Sequence, residues 1–222
     1  MRQIENLRTE SGDRPLKDVQ IADCGQLEGD AALAADVAAA DAYGDAYEDF
    51  PEDVPGGGAL DAARVAKIAV DCKGYGTAAF KAGDTAAALE KYQKALRYLN
   101  EEPDLDGAAA DVVAELAALR VSLNLNAALM NLKLQAWDDA ARAAAAALAA
   151  KGIKPADQAK ALYRRGLARV QLRDEEEALA DLEAAIKLAP GDAAIQAELT
   201  KVKKKVSERS AKERAAYKKF FA

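Results

Sequence analysis

Ile195, Leu199, Val202 and Val206 follow one another at intervals of 4, 3 and 4, which lines one face of a helix with apolar side chains. Helical periodicity runs from Asp61 to the end of the chain. Turn formers interrupt it at Ala82-Gly83-Asp84, from Asn100 to Gly107, at Lys151-Gly152-Ile153-Lys154-Pro155 and at Pro190-Gly191-Asp192. Asp84, Asp174 and Asp192 stand where a carboxylate can accept hydrogen bonds from the first turn of the following helix. Upstream the pattern changes. Val19-Gln20-Ile21-Ala22-Asp23-Cys24 alternates in part, as a half-buried strand does, and a lone strand needs partners. Residues 28–61 hold ten acidic residues and no Lys or Arg, and they end in Pro51, Pro55 and Gly56-Gly57-Gly58. This stretch reads as an acidic linker, a solvated spacer.

The small residues of the helical region repeat. Gly76, Ala88, Tyr92 and Ala95 are spaced 12, 4 and 3 apart, as are Ala128, Ala140, Ala144 and Ala147, and again Gly166, Ala178, Leu182 and Ala185. Small side chains at such points let paired helices approach closely. The pattern resembles the tetratricopeptide (TPR) repeat. That resemblance implies an all-α fold of three helix pairs at 69–102, 121–154 and 159–192 in a right-handed superhelix, with a capping helix over 193–222. Residues 111–119 lengthen the front helix of the second pair. The closing proline of the pattern is present only as Pro190; Asn100 and Gly152 stand at the other two positions.

One class of TPR domain reads a free C-terminal carboxylate with polar residues on its front helices, the carboxylate clamp. The register set by the small residues puts Lys73, Thr77, Asn126, Lys160 and Arg164 at those positions, and four of the five are the residue that the clamp pattern expects. Lys160 and Arg164 lie four apart on one helical face, where like charges repel and an anionic ligand relieves the repulsion. Thr77 departs from the pattern, which has Asn. A hydroxyl supplies one hydrogen bond in place of an amide, so a weakened or water-bridged contact is expected, at a cost of about 1 kcal/mol. Phe80, Leu129 and Lys133 are expected to line the groove beside the clamp and to set its selectivity.

Both ends extend the resemblance. Gly12-Asp13-Arg14-Pro15 and Val19-Gln20-Ile21-Ala22-Asp23-Cys24-Gly25-Gln26-Leu27 look like the end of a cyclophilin β-barrel. Leu96-Arg97-Tyr98-Leu99, Ala161-Leu162-Tyr163-Arg164-Arg165 and the tail through Ala216-Tyr217-Lys218-Lys219-Phe220-Phe221-Ala222 are similar to TPR-bearing cyclophilins of the cyclophilin-40 type. The resemblance implies a short orphan β segment in a barrel remnant at 1–27. It also implies a cochaperone that binds the terminal Glu-Glu-Val-Asp of heat-shock protein 90 or 70. The family's peptidyl-prolyl isomerase residues lie upstream of the strand recognisable here, so no residue of this chain inherits them and the chain is expected not to be an enzyme. Residual isomerase activity is the alternative.

Composition narrows the rest. The chain has no histidine, and Cys24 and Cys72 follow no metal-ligand spacing, so no metal or cofactor is expected. A net charge of −6 argues against nucleic-acid binding. No run of about 18 apolar residues stands out, so no membrane span is expected. Met1-Arg2-Gln3-Ile4-Glu5 lacks an apolar signal region. A cytoplasmic location is expected, with the nucleus also open, and both cysteines are expected as free thiols. Residues 201–222 hold nine Lys/Arg against Glu208 and Glu213, with Tyr217, Phe220 and Phe221 at the end. Such a basic amphipathic helix suits calmodulin, an acidic surface or a membrane face, and the acidic stretch 28–61 is a candidate partner within the chain.

Overall fold

The computed structural model describes residues 7–10, 14–20, 40–54, 60–100 and 109–220. Ile21–Cys24 of the expected strand, residues 28–39, Gly56–Gly58, residues 101–107 of the second turn and Phe221 lie outside them. The chain divides into two units, 1–38 and 39–222. In the first, Thr9 and Pro15 form an isolated antiparallel bridge, closed by hydrogen bonds of 2.8 Å from Glu10 N to Arg14 O and from Leu16 N to Arg8 O. Val19 and Gln20 are not in a strand.

The second unit is built from α1 (Ala62–Lys81), α2 (Thr85–Asn100), α3 (Ala110–Lys133), α4 (Trp137–Leu148), α5 (Pro155–Gln171), α6 (Glu175–Leu188) and α7 (Ala193–Phe220). Local chemistry sets their ends. The Asp61 carboxylate accepts from Arg64 N at 2.7 Å and starts α1. Asp84 accepts from Ala87 N at 2.9 Å, and Asp192 from Ala194 N at 2.9 Å and Ile195 N at 3.2 Å. Asp174 makes no such bond: its ψ of 60° leaves the extended range in which a cap aims its side chain at the helix. Glu175, Glu176 and Glu177 occupy the first turn of α6 instead and complement its dipole. Pro155 opens α5, where its missing N–H costs nothing.

Each helix packs on the next, and the front helices α1, α3 and α5 also pack side by side. The repeat spacing explains this. Gly76, Ala128 and Gly166 are all buried, as are the small residues Ala88, Ala140 and Ala178 and then Ala95, Ala147 and Ala185. Tyr92, Ala144 and Leu182 are also buried, each in the same register. The turns repeat as well: Gly83, Gln135 and Arg173, each seven residues past the small residue of the front helix, adopt φ of 87°, 60° and 67°. Ile195, Leu199 and Val202 of α7 are buried against α5 and α6 with Val206 beside them, so the apolar stripe closes the array. This is the all-α TPR architecture.

Two further expectations change. α3, at 24 residues, is long and apolar enough by length and composition to cross a membrane, contrary to the sequence reading. Its Leu116, Leu119, Leu123, Ala127 and Met130 belong to the core shared with α1 and α2, and its Val121 and Leu125 to a second cluster with Ala147 and Ala161. A helix packed on several sides is apolar on several sides. The acidic stretch, in turn, is no solvated spacer over residues 40–54. Asp45 is buried, with its carboxylate 2.6 Å from Lys91 Nζ and 3.0 Å from Lys94 Nζ of α2. Pro51, which opens a 3-10 turn (Pro51–Asp53), is buried too. The acidic residues of 40–54 therefore pair with α2, while the tail pairs elsewhere: Arg209 meets Glu175 at 2.5 Å and Glu176 at 2.8 Å, and Lys203 meets Glu183 at 2.9 Å.

Candidate carboxylate-binding groove

The predicted site residues fall on the three front helices: Lys73, Thr77 and Phe80 on α1; Asn126, Leu129 and Lys133 on α3; Lys160 and Arg164 on α5. On each helix they recur at steps of three or four, hence along one face. Two contacts bridge the helices. Lys133 Nζ stands 5.4 Å from the centroid of the Phe80 ring, a cation–π distance. Phe80 and Leu129 pack against the same core cluster. Across the other seam, Arg164 Nη1 donates to Leu125 O at 2.6 Å. The guanidinium is thereby pinned beside Asn126, the next residue along α3.

The cations differ in their surroundings. Burial pulls the Arg164 guanidinium below its usual pKa, and Asp157 pushes it back up. Lys160 pairs with Asp157 at 3.1 Å, and its side chain is 58% exposed. An exposed pair of this kind contributes little and exchanges readily for another carboxylate. Among the described residues no carboxylate lies within ion-pair distance of Lys73.

Thr77 corrects the expectation of a donated hydrogen bond. Its Oγ1 donates to Lys73 O, one turn back, at 2.8 Å, so its one hydrogen is engaged within α1. It also lies 3.4 Å from Tyr92 OH. In this geometry Thr77 offers a ligand only an acceptor. Sequence reasoning missed this, and it missed Tyr92 beneath Thr77 and the Leu125 carbonyl. The aromatic at the position where the other repeats have Ala144 and Leu182 was the available signal for Tyr92. A carbonyl that holds an arginine leaves no mark in sequence.

A second charged cluster lies between α5 and α6. The buried Asp181 accepts from Arg165 Nε at 2.9 Å, Arg165 Nη2 at 2.6 Å and Arg169 Nη1 at 2.7 Å. Both of its oxygens are engaged and the residue is buried, so it ties α5 to α6 and does not face a ligand. Cys72 is a buried free thiol, pushed up to about 12 by burial and then by Asp45, which keeps it protonated and inert.

A tetratricopeptide-repeat family model matches residues 159–192, the span of the third repeat. A Cryptococcus neoformans protein named peptidyl-prolyl cis-trans isomerase D is 40% identical over an alignment that covers 100% of this chain, and the chain spans 61% of that relative's length. The C-terminal TPR-containing domain of a Plasmodium falciparum FK506-binding protein superposes with a TM-score of 0.61 at 26% identity, over 68% of this chain and 97% of that domain. The first TPR of Spaghetti, solved with an HSP90 peptide, superposes with a TM-score of 0.50 at 24% identity, over 64% of this chain and 95% of that one, and shares the fold. The chain has the tetratricopeptide-repeat fold and is similar along its whole length to a part of the peptidyl-prolyl cis-trans isomerase D sequences.

Proposed function

We propose that the groove on α1, α3 and α5 captures the C-terminal carboxylate of an acidic tail, of the Glu-Glu-Val-Asp kind that ends heat-shock proteins 90 and 70. The chain then serves as a cytoplasmic cochaperone adaptor in protein folding. The observation that carries this reading is the pinned Arg164, held by Leu125 O at 2.6 Å beside Asn126, with Lys160 one turn away. A tail that ends in Asp brings two carboxylates together. Lys73, Lys160 and Arg164 supply converging positive charge, and Asn126 supplies an amide. Hydrogen bonds to charged groups contribute about 1.5–3 kcal/mol each, so a few of them reach micromolar affinity, about −8 kcal/mol, once ordering costs are met. Phe80, Leu129 and Lys133 flank the clamp and receive the side chains that precede the terminus. The isomerase activity in the relatives' name belongs, in this reading, to the part of their length that the chain does not span.

Calorimetric titration with a peptide ending in Glu-Glu-Val-Asp, then with its C-terminal amide, tests the proposal. The amide should bind at least tenfold more weakly, about 1.4 kcal/mol, and Lys160→Ala should remove most of the binding. Equal affinity for acid and amide overturns carboxylate capture. A proline-isomerisation assay should give the buffer rate; a rate well above it overturns the non-enzymatic reading.

A second reading concerns the tail. α7 stays helical through Phe220 and carries Lys204, Lys205, Lys212 and Arg214 exposed, a surface suited to calmodulin. Truncation after Val206 should abolish calmodulin binding. Binding that survives the truncation excludes this reading.

A further inference from the structure

α2 presents Lys91, Lys94, Arg97 and Tyr98 on one face, and against them lies an acidic segment that turns at Asp41–Asp45 and runs on to Asp49. The contacts are those of a bound peptide. Lys94 Nζ donates to Tyr47 O, Tyr98 OH donates to Glu48 O at 2.8 Å, and Arg97 Nε donates to Asp49 O at 2.8 Å. Three side chains thus satisfy three consecutive main-chain carbonyls. One aspartate is taken whole: the Asp45 carboxylate is fully buried between Lys91 and Lys94. An aromatic pair flanks the run. Tyr47 OH donates to Asp71 of α1 at 2.5 Å, and the Arg97 guanidinium lies 4.8 Å from the Phe50 ring centroid. At 100° per residue, Asp71 and Lys73 sit on opposed faces of α1, so this cleft is separate from the carboxylate groove.

We propose that the α1–α2 cleft is a second peptide-binding site, and that residues 41–51 fill it in cis. Its ligand class is an acidic segment, opened by a turn, with a buried Asp two residues before an aromatic. Capture of main-chain carbonyls makes the site tolerant of intervening side chains, and the buried Asp45 fixes the register. The inference does not depend on the carboxylate groove.

The test uses the full chain with a protease site placed at Gly56–Gly58. After cleavage the N-terminal fragment should stay bound to the repeats in gel filtration, with a Kd of about 10 µM or tighter, and a synthetic peptide of residues 40–54 should displace it. Lys94→Met keeps the stem volume and removes the charge; it should weaken retention about 30-fold or more. Arg97→Gln, at a half-buried position, should weaken it about fivefold. Helix content of the uncut variants checks folding. A fragment that departs from the cut wild-type chain, a retained fragment that the 40–54 peptide does not displace, or retention unchanged in both variants overturns the proposal.

Discussion

A Cβ placed on Gly76 would stand 2.6 Å from the Tyr92 ring and 3.1 Å from the Ala88 carbonyl oxygen. Helix α1 approaches α2 closely at this point, with the Tyr92 ring against the Gly76 backbone. The third repeat makes the same approach with softer material: a Cβ on Gly166 would meet the Leu182 side chain at 3.1–3.2 Å and the Ala178 oxygen at 3.5 Å. In the second repeat both partners are alanine, Ala128 and Ala144, and both are fully buried.

Gly→Ala inside a helix gains about 1 kcal/mol from propensity. At Gly76 the overlap with a buried ring and a carbonyl exceeds that gain, so Gly76→Ala should lose about 1–3 kcal/mol in urea unfolding. At Gly166 the Leu182 side chain can shift by a few tenths of an ångström, and Gly166→Ala should be near neutral. Equal losses at both sites would contradict this account.

Thr77→Asn restores an amide donor in the groove and should tighten binding of a Glu-Glu-Val-Asp peptide by about 1 kcal/mol. Thr77→Val should leave affinity nearly unchanged, because the hydroxyl hydrogen is engaged by Lys73 O. Calorimetry on the two variants separates donor chemistry from shape; a large loss in Thr77→Val would show that the hydroxyl faces the ligand.

Asp181→Ala removes the carboxylate that bridges Arg165 and Arg169, which lie 2.6 Å and 2.7 Å from it. Both arginine side chains are 23% exposed and can partly rehydrate. The loss should therefore fall at the low end for a broken buried pair, about 3 kcal/mol by denaturant unfolding.

Acid should undock residues 40–54. Burial raises the Asp41 carboxyl, but the Lys91 ammonium and the backbone N–H groups of Asp45 and Tyr43 outweigh it and lower it to about 2. Asp45 is lowered as well, with burial again opposed by Lys91 and Lys94. A carboxyl with a lowered folded pKa stabilises the docked state above its unfolded value, about 3.9, and that stabilisation is lost as pH falls through the folded value. Tyr47 ring resonances followed by NMR should hold steady down to about pH 4 and move towards free-tyrosine positions between about pH 4 and 2.

The repeat was legible because it is written in single residues. Gly76, Ala128 and Gly166 mark three helix crossings, and the apolar stripe of α7 announces its cap. The clamp positions followed from that register together with the resemblance to carboxylate-clamp TPR domains, and on each front helix they share a face. The docking of 40–54 was not legible. Asp45 meets Lys91 and Lys94, 46 and 49 residues downstream, and such pairing has no local period. Ten acids without a cation looked like a spacer, yet the cations of Asp41, Asp45 and Asp49 sit in another element, at Lys91 and Lys94. The tyrosines at 43 and 47 and Phe50 among the acids were the overlooked signal, since a solvated spacer has no use for them. Asp174 failed as a cap for a local reason, its own ψ of 60°.

The three left-handed turn residues have a consequence for how the array could be altered. Gly83 adopts its φ of 87° at no steric cost, whereas Gln135 and Arg173 hold φ of 60° and 67° against their own Cβ atoms. Each of these two joints carries a stored strain of about 1 kcal/mol. Gln135→Gly and Arg173→Gly would release it without touching groove, cleft or core. The solenoid therefore holds a reserve of stability at its hinges, which could be drawn on to tolerate destabilising changes in the ligand-facing helices.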